Sequence, residues 1–444
     1  MSPLFRSMLR ILCVLCVLCG PVFFIRTIYA AEIRTLTLDQ ALSIARDRNR
    51  DIDKAREYGR YVQGRYVEER AAALPQLSLN GSLALAQDDS QSALIGMAPR
   101  QFTRAVDLTL SQPLFTWGKV GAAIRGAKVG LKTADEQLRL SQQAAYRDVS
   151  AAFYDILLTK ELHTLAVENL AQKQRLQNEA RRKYEAGVAT DYDVLAADVA
   201  VENARPEVIR SANAIRNARE RLRFLLALGE QEIDVSGSLT SLLEQPLSYE
   251  QALKRAAVKR PELADARLRI GIYSELLTIA SAENKPRLDL KGSAGWHWLD
   301  VNGSGLSQSI AANGFAWGAG VYLSFPFFDG LRTSGKVVQA TSDLRTREIE
   351  AAKLLDSIAL EVRTTGDAVR ESLEIVQSLT GTVTQAERLL QMAEKGYEYG
   401  VKIRLEVDDA QLNLLQARSN LARAQRNYLV ARVEYDWAMG VAGE

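Results

Sequence analysis

The sequence predicts a mixed α and β fold in which very long helical hairpins are joined to short amphipathic strands, the whole arrangement being built twice. Three observations carry this: an internal duplication, a long proline-free helical stretch in each copy, and two alternating segments preceding each stretch.

The duplication is legible residue by residue. Leu36–Leu42 (LTLDQAL) matches Leu247–Leu253 (LSYEQAL), and Pro75–Leu79 (PQLSL) matches Pro286–Leu290 (PRLDL), both at an offset of 211. After a two-residue length difference, Ser111–Phe115 (SQPLF) matches Ser324–Phe328 (SFPFF), and Tyr184–Val188 (YEAGV) matches Tyr397–Val401 (YEYGV), at 213. A solenoid repeats in units of roughly 20–50 residues. Two long copies instead indicate pseudo-symmetry inside one fold, with repeats at 32–235 and 247–444 and a linker at 236–246.

The N-terminus has Arg6 and Arg10, an apolar run from Ile11 to Phe24, and small residues at Ala30 and Ala31. This is the order of a cleaved secretory signal peptide, placed at 1–31. Cys13, Cys16 and Cys19 all lie within it, so the exported chain is expected to hold no disulfide. Removing its three arginines from 56 basic residues leaves 53 against 54 acidic ones, which gives no electrostatic case for nucleic-acid binding. With only His163 and His297 and no thiol, no metal site of the Cys/His kind is expected, and no cofactor.

Each copy's proline-free stretch predicts one long helix, at about 117–185 and 330–397. In the second, Leu355, Val362, Val369, Val376, Val383, Leu390 and Tyr397 recur every seven residues. Ile358, Thr365, Ser372, Leu379, Ala386, Ala393 and Gly400 follow three further on. That is a heptad with apolar and small positions, over a helix on the order of 100 Å long. The first copy's stripe is weaker, and His163 on it reads as a packed, hydrogen-bonded residue. Gly187 and Gly400 suit left-handed C-caps, after which return helices are expected at about 191–228 and 405–439. One further helix is expected to open each repeat, from about Asp39 to Ala73 and Glu250 to Glu283.

Between opening and long helices lie the alternating segments, at about 76–87, 102–112, 287–298 and 315–325. Leu77, Leu79, Leu83 and Leu85 alternate with small or polar residues, as do Val106, Leu108 and Leu110, and as do Trp296 and Trp298 around His297. Period two with one apolar face fits half-buried strands. Their length is that of a tilted bilayer-crossing strand, and Trp296, Trp298, Phe315 and Trp317 gather toward the loop ends as membrane-interface aromatics do. The links at about Asp88 to Arg100 and Asp300 to Asn313 are polar. The alternative is a soluble antiparallel sheet packed on the helices; if instead the strands cross a membrane, four are too few to close a barrel and this mixed α and β membrane protein must oligomerise, at least as a dimer giving eight strands.

The signal peptide, the duplicated order of elements, Pro113–Phe115 (PLF), Pro326–Phe328 (PFF), and Gly187 followed by Asp193–Leu195 (DVL) resemble the TolC family of outer-membrane efflux proteins along the whole mature chain. The resemblance implies a homotrimer, with a twelve-stranded β-barrel in outer-membrane lipid of a Gram-negative bacterium and a coiled-coil α-barrel crossing the periplasm. It implies a passive, non-enzymatic exit duct for a tripartite pump or type I secretion system, with a periplasmic adaptor and an inner-membrane transporter of RND, ABC or MFS type. It further implies a periplasmic gate at Tyr397, Lys402, Glu406, Asp409 and Asp193, where Lys402 and Glu406 stand for the commoner Arg and Asp. Tip and adaptor contacts would fall on Gly187, Val188, Ala189, Thr190, Gly400, Val401, Ile403 and Arg404.

A competing reading is a periplasmic adaptor or scaffold, which also carries helical hairpins but normally one rather than two. A hydrolase reading fails on Asp408 and Asp409, which point about 100° apart on a helix and form no dyad.

Overall fold

The structure is a computed structural model and describes residues 34–87, 100–240, 242–302 and 310–443. The expected signal peptide and the middle of both inter-strand links lie outside the described residues.

The first copy runs β1 (Arg34–Leu36), α1 (Leu38–Arg48), α2 (Arg50–Ala71), β2 (Gln76–Gln87), β3 (Arg100–Phe115), α3 (Lys119–Glu185), α4 (Asp191–Leu225) and β4 (Ile233–Val235). The second runs α5 (Tyr249–Lys259), α6 (Pro261–Ser281), β5 (Arg287–Asn302), β6 (Ile310–Ser324), α7 (Arg332–Glu398) and α8 (Arg404–Ala438). Helices α3 and α7 have 67 residues each, about 100 Å at 1.5 Å per residue. The central helix α3 packs against α1, α2, α4, α6 and α8. Among the described residues no helix is long and apolar enough to cross a membrane.

The α7 heptad packs from Ile358 onward: Val362, Val369, Val376, Ser372, Ala386 and Ala393 are buried. Its partners on α8 include Ala424, Tyr428, Ala431 and Tyr435. Leu355, counted in the stripe, is 41% exposed. Beside Gly366 sits Tyr435, only three residues before the end of α8, so Leu355 lies past the point where α8 can cover the seam. His163 is half-buried, with Nδ1 3.0 Å from Ser211 Oγ.

The opening segments differ from the expected single helices, for each is broken into two, at Asn49 and at Arg260. Both break residues are extended, with φ/ψ of −63/128° and −64/118°. In the second copy Pro261 disfavours helical geometry at the residue before it. In the first, Asn49 Oδ1 accepts from the backbone N–H groups of Asp51 and Ile52, which starts α2. The breaks perform the same job: Asn49 Nδ2 donates to Leu225 O at 2.9 Å, and Arg260 Nη1 donates to Ala438 O at 3.1 Å. Each ties the opening helices to the last turn of its own return helix. Asn49 and Arg260 are 4% and 5% exposed, so these ties lie inside the waist of the molecule.

Near the same place β1 and β4 form a parallel pair that the sequence did not reveal, three residues being too few to show a period. It buries Leu36, Ile233 and Val235 against Phe153, Ile156, Leu222 and Leu226.

The helices α4 and α8 end on left-handed residues, Ala227 (φ 51°) and Gly440 (φ 74°). A Cβ on Gly440 would meet Arg260 N at 2.7 Å, a backbone atom that cannot rotate away. Gly440→Ala should therefore cost about 3 kcal/mol, from left-handed strain and overlap together. Ala227→Gly should leave the melting temperature unchanged or raise it. Equal effects of the two substitutions in a thermal melt would contradict this packing.

Candidate functional site

The four longer strands form one antiparallel sheet in the order β2-β3-β5-β6. Their register sorts the side chains by polarity across all four. The row Leu79, Leu108, Ala294, Trp317 and the row Gly81, Val106, Trp296, Phe315 lie on one face. On the other lie Ser78, Thr109, Ser293, Gly318 and Ser82, Ala105, His297, Gly314. The apolar face is open to its surroundings, with Leu79 at 73% and Trp317 at 76% exposure. The strands exceed their expected lengths at the distal ends: Arg100, Asp300 to Asn302, and Ile310 to Asn313 are paired residues of the sheet.

The four aromatics singled out from the sequence lie together on this apolar face. Trp296 has its ring 6.2 Å from Phe315 and 6.4 Å from Trp298. On the polar face His297 Nε2 is 2.8 Å from Asp107 Oδ1. Gly295 makes room for that contact, since a Cβ there would lie 2.2 Å from Asp107 Oδ1. A second group of exposed apolar residues sits at the opposite end, where the sheet passes into α3 and α7: Phe115, Trp117, Phe327, Phe328 and Leu331. Its signal was present in the PLF and PFF motifs, which in the sequence serve to align the two copies and to carry the family resemblance.

At the far ends of the long helices both copies make the same turn. Gly187 N–H donates to Tyr184 O and Val188 N–H to Lys183 O, each at 2.9 Å. Gly400 N–H donates to Tyr397 O and Val401 N–H to Gly396 O, at 3.1 and 2.8 Å. These are the paired bonds of a Schellman cap, and the left-handed φ of 76° and 71° accounts for both glycines. Val188 and Val401, 74% and 82% exposed, project at the tips.

The return helices then start differently. Thr190 Oγ1 caps the Asp193 N–H, and Asp193 Oδ2 accepts from the Thr190 N–H at 2.9 Å, a full capping box. Ala189 lies between this box and the glycine turn. Ile403 has no side-chain acceptor, so only the reciprocal half exists, Glu406 Oε2 accepting from Ile403 N–H at 3.1 Å. Lys402 offsets the loss by reaching Glu406 Oε1 at 2.7 Å, its stem folded over Gly396. The Thr190 N–H and hydroxyl hold the Asp193 carboxyl below the usual range. The Lys402 ammonium, then the Ile403 N–H, do the same for Glu406.

Of the five expected gate residues the structure thus pairs two, Lys402 and Glu406. Asp193 is engaged within its own cap, and among the described residues Asp409 has no partner within the protomer. Tyr397 instead meets the first hairpin: Lys183 Nζ donates to its hydroxyl at 3.1 Å and lies 5.1 Å from its ring centre. Glu179 first, then Tyr397, pushes the Lys183 ammonium up. A second bridge, Lys173 Nζ to Asp408 Oδ1 at 3.2 Å, crosses the same seam, and Arg404 lies 3.8 Å from Asp408. Between the bridges is a cavity of about 310 Å³, lined by Arg175, Glu179, Arg404, Asp408 and Gln411 among others. The sequence carried no signal for Lys173 or Lys183, because the pairing spans the two repeats.

A family model described as outer membrane efflux protein matches residues 41–228 and 252–441. The outer membrane protein TolC of Vibrio cholerae is 22% identical over 386 residues, covering 85% of this chain and 84% of that protein. The alkaline protease secretion protein AprF of Pseudomonas aeruginosa is 25% identical over 385 residues, covering 84% and 78%. The crystal structure of the Campylobacter jejuni CmeC outer membrane channel superposes with a TM-score of 0.79 at 16% identity, covering 91% of this chain and 86% of that one. Matched once in each of its two repeats by the same model, the chain belongs to the outer membrane efflux protein family.

Proposed function

We propose that three copies of this chain form an outer-membrane exit duct. In this reading twelve strands close a barrel in the lipid and the helical hairpins form a second barrel reaching into the periplasm. The observation that carries it is the sheet: its outer face is apolar and exposed, its inner face polar, and among the described residues β2 and β6 each keep one unpaired edge. Open edges are not tolerated in hydrocarbon, so copies must complete one another. The family resemblance supplies the number three. Conduction is passive, with energy and cargo choice left to an inner-membrane transporter of RND, ABC or MFS type coupled through a periplasmic adaptor. Relatives named for alkaline protease secretion and for pyoverdine export support a duct serving either secretion or efflux. The adaptor alternative has no support, since this chain carries two hairpins and a four-stranded sheet in the family's duplicated order.

The tips are the proposed periplasmic entrance, with Gly187 to Thr190 and Gly400 to Arg404 as adaptor contacts. Lys402, Glu406 and Asp409, with Asp193 and Tyr397, are the proposed gate. Three copies around an axis bring like carboxylates together, a constriction that favours cations. Lys402→Glu sets two acids four residues apart and removes the ammonium that holds Glu406. Single-channel conductance in planar bilayers should rise several-fold in this variant and in Glu406→Gln/Asp409→Asn. Wild-type conductance in both would remove these residues from the gate, and no channels from the wild type would refute the duct.

The sign of the pH dependence follows from Glu406. Its folded value lies below the ordinary 4.5, so the contact with Lys402 is complete above that pH and is lost as pH falls through the lowered value. Conductance should be flat from about pH 8 to 5 and increase only in stronger acid.

A further inference from the structure

Gln411, on α8, is 9% exposed, and its Oε1 has no hydrogen-bond partner among the described residues. It lines the cavity of about 310 Å³ that lies between the Lys183–Tyr397 and Lys173–Asp408 bridges. An unpaired buried acceptor costs roughly 1–3 kcal/mol. The first copy shows why this one is unpaired. At the offset of 213 the equivalent residue is Asp198, whose Oδ1 accepts from Gln177 Nε2 at 2.7 Å and from Arg181 Nη2 at 2.9 Å. The counterparts of those two donors are Leu390 and Glu394. Neither side chain can donate: Leu390 packs against the cluster of Ala393, Val407 and Ala410, and Glu394 lines the same cavity as an acceptor. The second hairpin therefore lacks both internal donors for this position and has a cavity beside it.

The rest of the lining indicates what would supply the missing donor. Arg175, on α3, lines the cavity and has no ion-pair or hydrogen-bond partner among the described residues. With the lysines of the flanking bridges included, four cations (Lys173, Arg175, Lys183 and Arg404) stand against three acids (Glu179, Glu394 and Asp408). Lys183 holds Glu179 at 2.7 Å and Lys173 holds Asp408 at 3.2 Å, so the surplus charge is positive and falls to the arginines. A free guanidinium presents the planar fork that matches a carboxylate. Leu176 and Val407 add apolar wall. Ligand pockets begin near 300 Å³, so the occupant is small.

We propose that this cavity is a binding site for a small hydroxylated carboxylate. The carboxylate pairs with Arg175, and the hydroxyl donates to Gln411 Oε1, whose amide turns toward the cavity to meet it. Such a ligand joins α3 to α8 and so ties the two hairpins together within one protomer. The site is complete in a single chain, so the inference goes beyond the duct and stands independently of the barrel and of the gate.

The test titrates 3- and 4-hydroxybenzoate into the detergent-purified protein and reads binding by saturation-transfer NMR, with empty micelles as the blank. Benzoate lacks the donor and 4-hydroxybenzyl alcohol lacks the charge. The site predicts saturable binding of at least one hydroxybenzoate, with both control compounds at least tenfold weaker. Arg175→Ala and Gln411→Leu should each weaken it tenfold or more. Gln411→Leu should leave the melting temperature unchanged or raise it, since no protein group loses a partner, and this separates lost binding from lost fold. A lowered melting temperature would make the amide a structural contact and overturn the site. So would the absence of saturable binding by either hydroxybenzoate, which would mean a cavity filled by water alone. Equal binding of benzoate, or binding that survives both substitutions, would overturn it as well.

Discussion

Leu108→Arg should abolish outer-membrane assembly, whereas Thr109→Arg, one residue on, should leave a folded oligomer with altered ion selectivity. Leu108 lies between Leu79 and Ala294 near the middle of the apolar face; Thr109 lies between Ser78 and Ser293 on the polar face, its hydroxyl 2.7 Å from Ser78 Oγ. An arginine near the bilayer midplane costs about 2–4 kcal/mol per site, and the proposed trimer would bear that three times. On the polar face the arginine would point into water and add a positive charge to the proposed lumen. Floating outer membranes on a sucrose gradient and following oligomer survival in mild detergent reads both variants. Equal loss in the two would mean that the sheet has no lipid side.

Arg260→Ala should be the most destabilising single change at the waist. The guanidinium is almost wholly enclosed and is committed four ways: to Glu361 Oε2 at 2.6 Å, to Glu262 Oε1 at 3.0 Å, to Ala438 O at 3.1 Å, and onto the Trp437 ring at 4.6 Å. Removing it leaves Glu361 and Glu262 without their shared cation and opens the tie between α5–α6 and the end of α8. Breaking a buried pair from one side costs about 3–5 kcal/mol. Arg260→Met, which keeps the stem but not the charge, should lose nearly as much, because the stranded carboxylates dominate. Thermal melts in detergent check this, with Asn49→Ala, the neutral counterpart in the first copy, expected to cost about 1–2 kcal/mol. An Asn49 effect as large as that of Arg260 would show that the tie, rather than the charge, matters.

Much of the architecture was legible because its signals are local and periodic. Proline-free heptads mark α7, alternation marks the strands to within a few residues, and Gly187 and Gly400 mark turns that require a left-handed residue. What was illegible depends on contacts between residues far apart in sequence. Pro261 announces a break in the second opening helix, but Asn49 breaks the first with both ends of its side chain, Oδ1 capping the Asp51 and Ile52 N–H groups and Nδ2 reaching Leu225, 176 residues away. Likewise Tyr397 was assigned to the gate from the family pattern, while its hydroxyl is held by Lys183, 214 positions distant in the other hairpin. The left-handed conformations of Trp117 (φ 49°) and Leu331 (φ 67°) were hidden for another reason: beside them Gly118 and Gly330 are left-handed too, and at the offset of 213 the glycine and the large residue trade places between repeats, so neither stands out in the alignment of the copies.

The central claim is that an open four-stranded sheet is completed by two further copies of itself. Native mass measurement of the protein released from detergent tests it most directly. The account predicts a complex of three chains that persists at low concentration and dissociates only with loss of β structure. A folded monomer, or a dimer supplying eight strands, would contradict it.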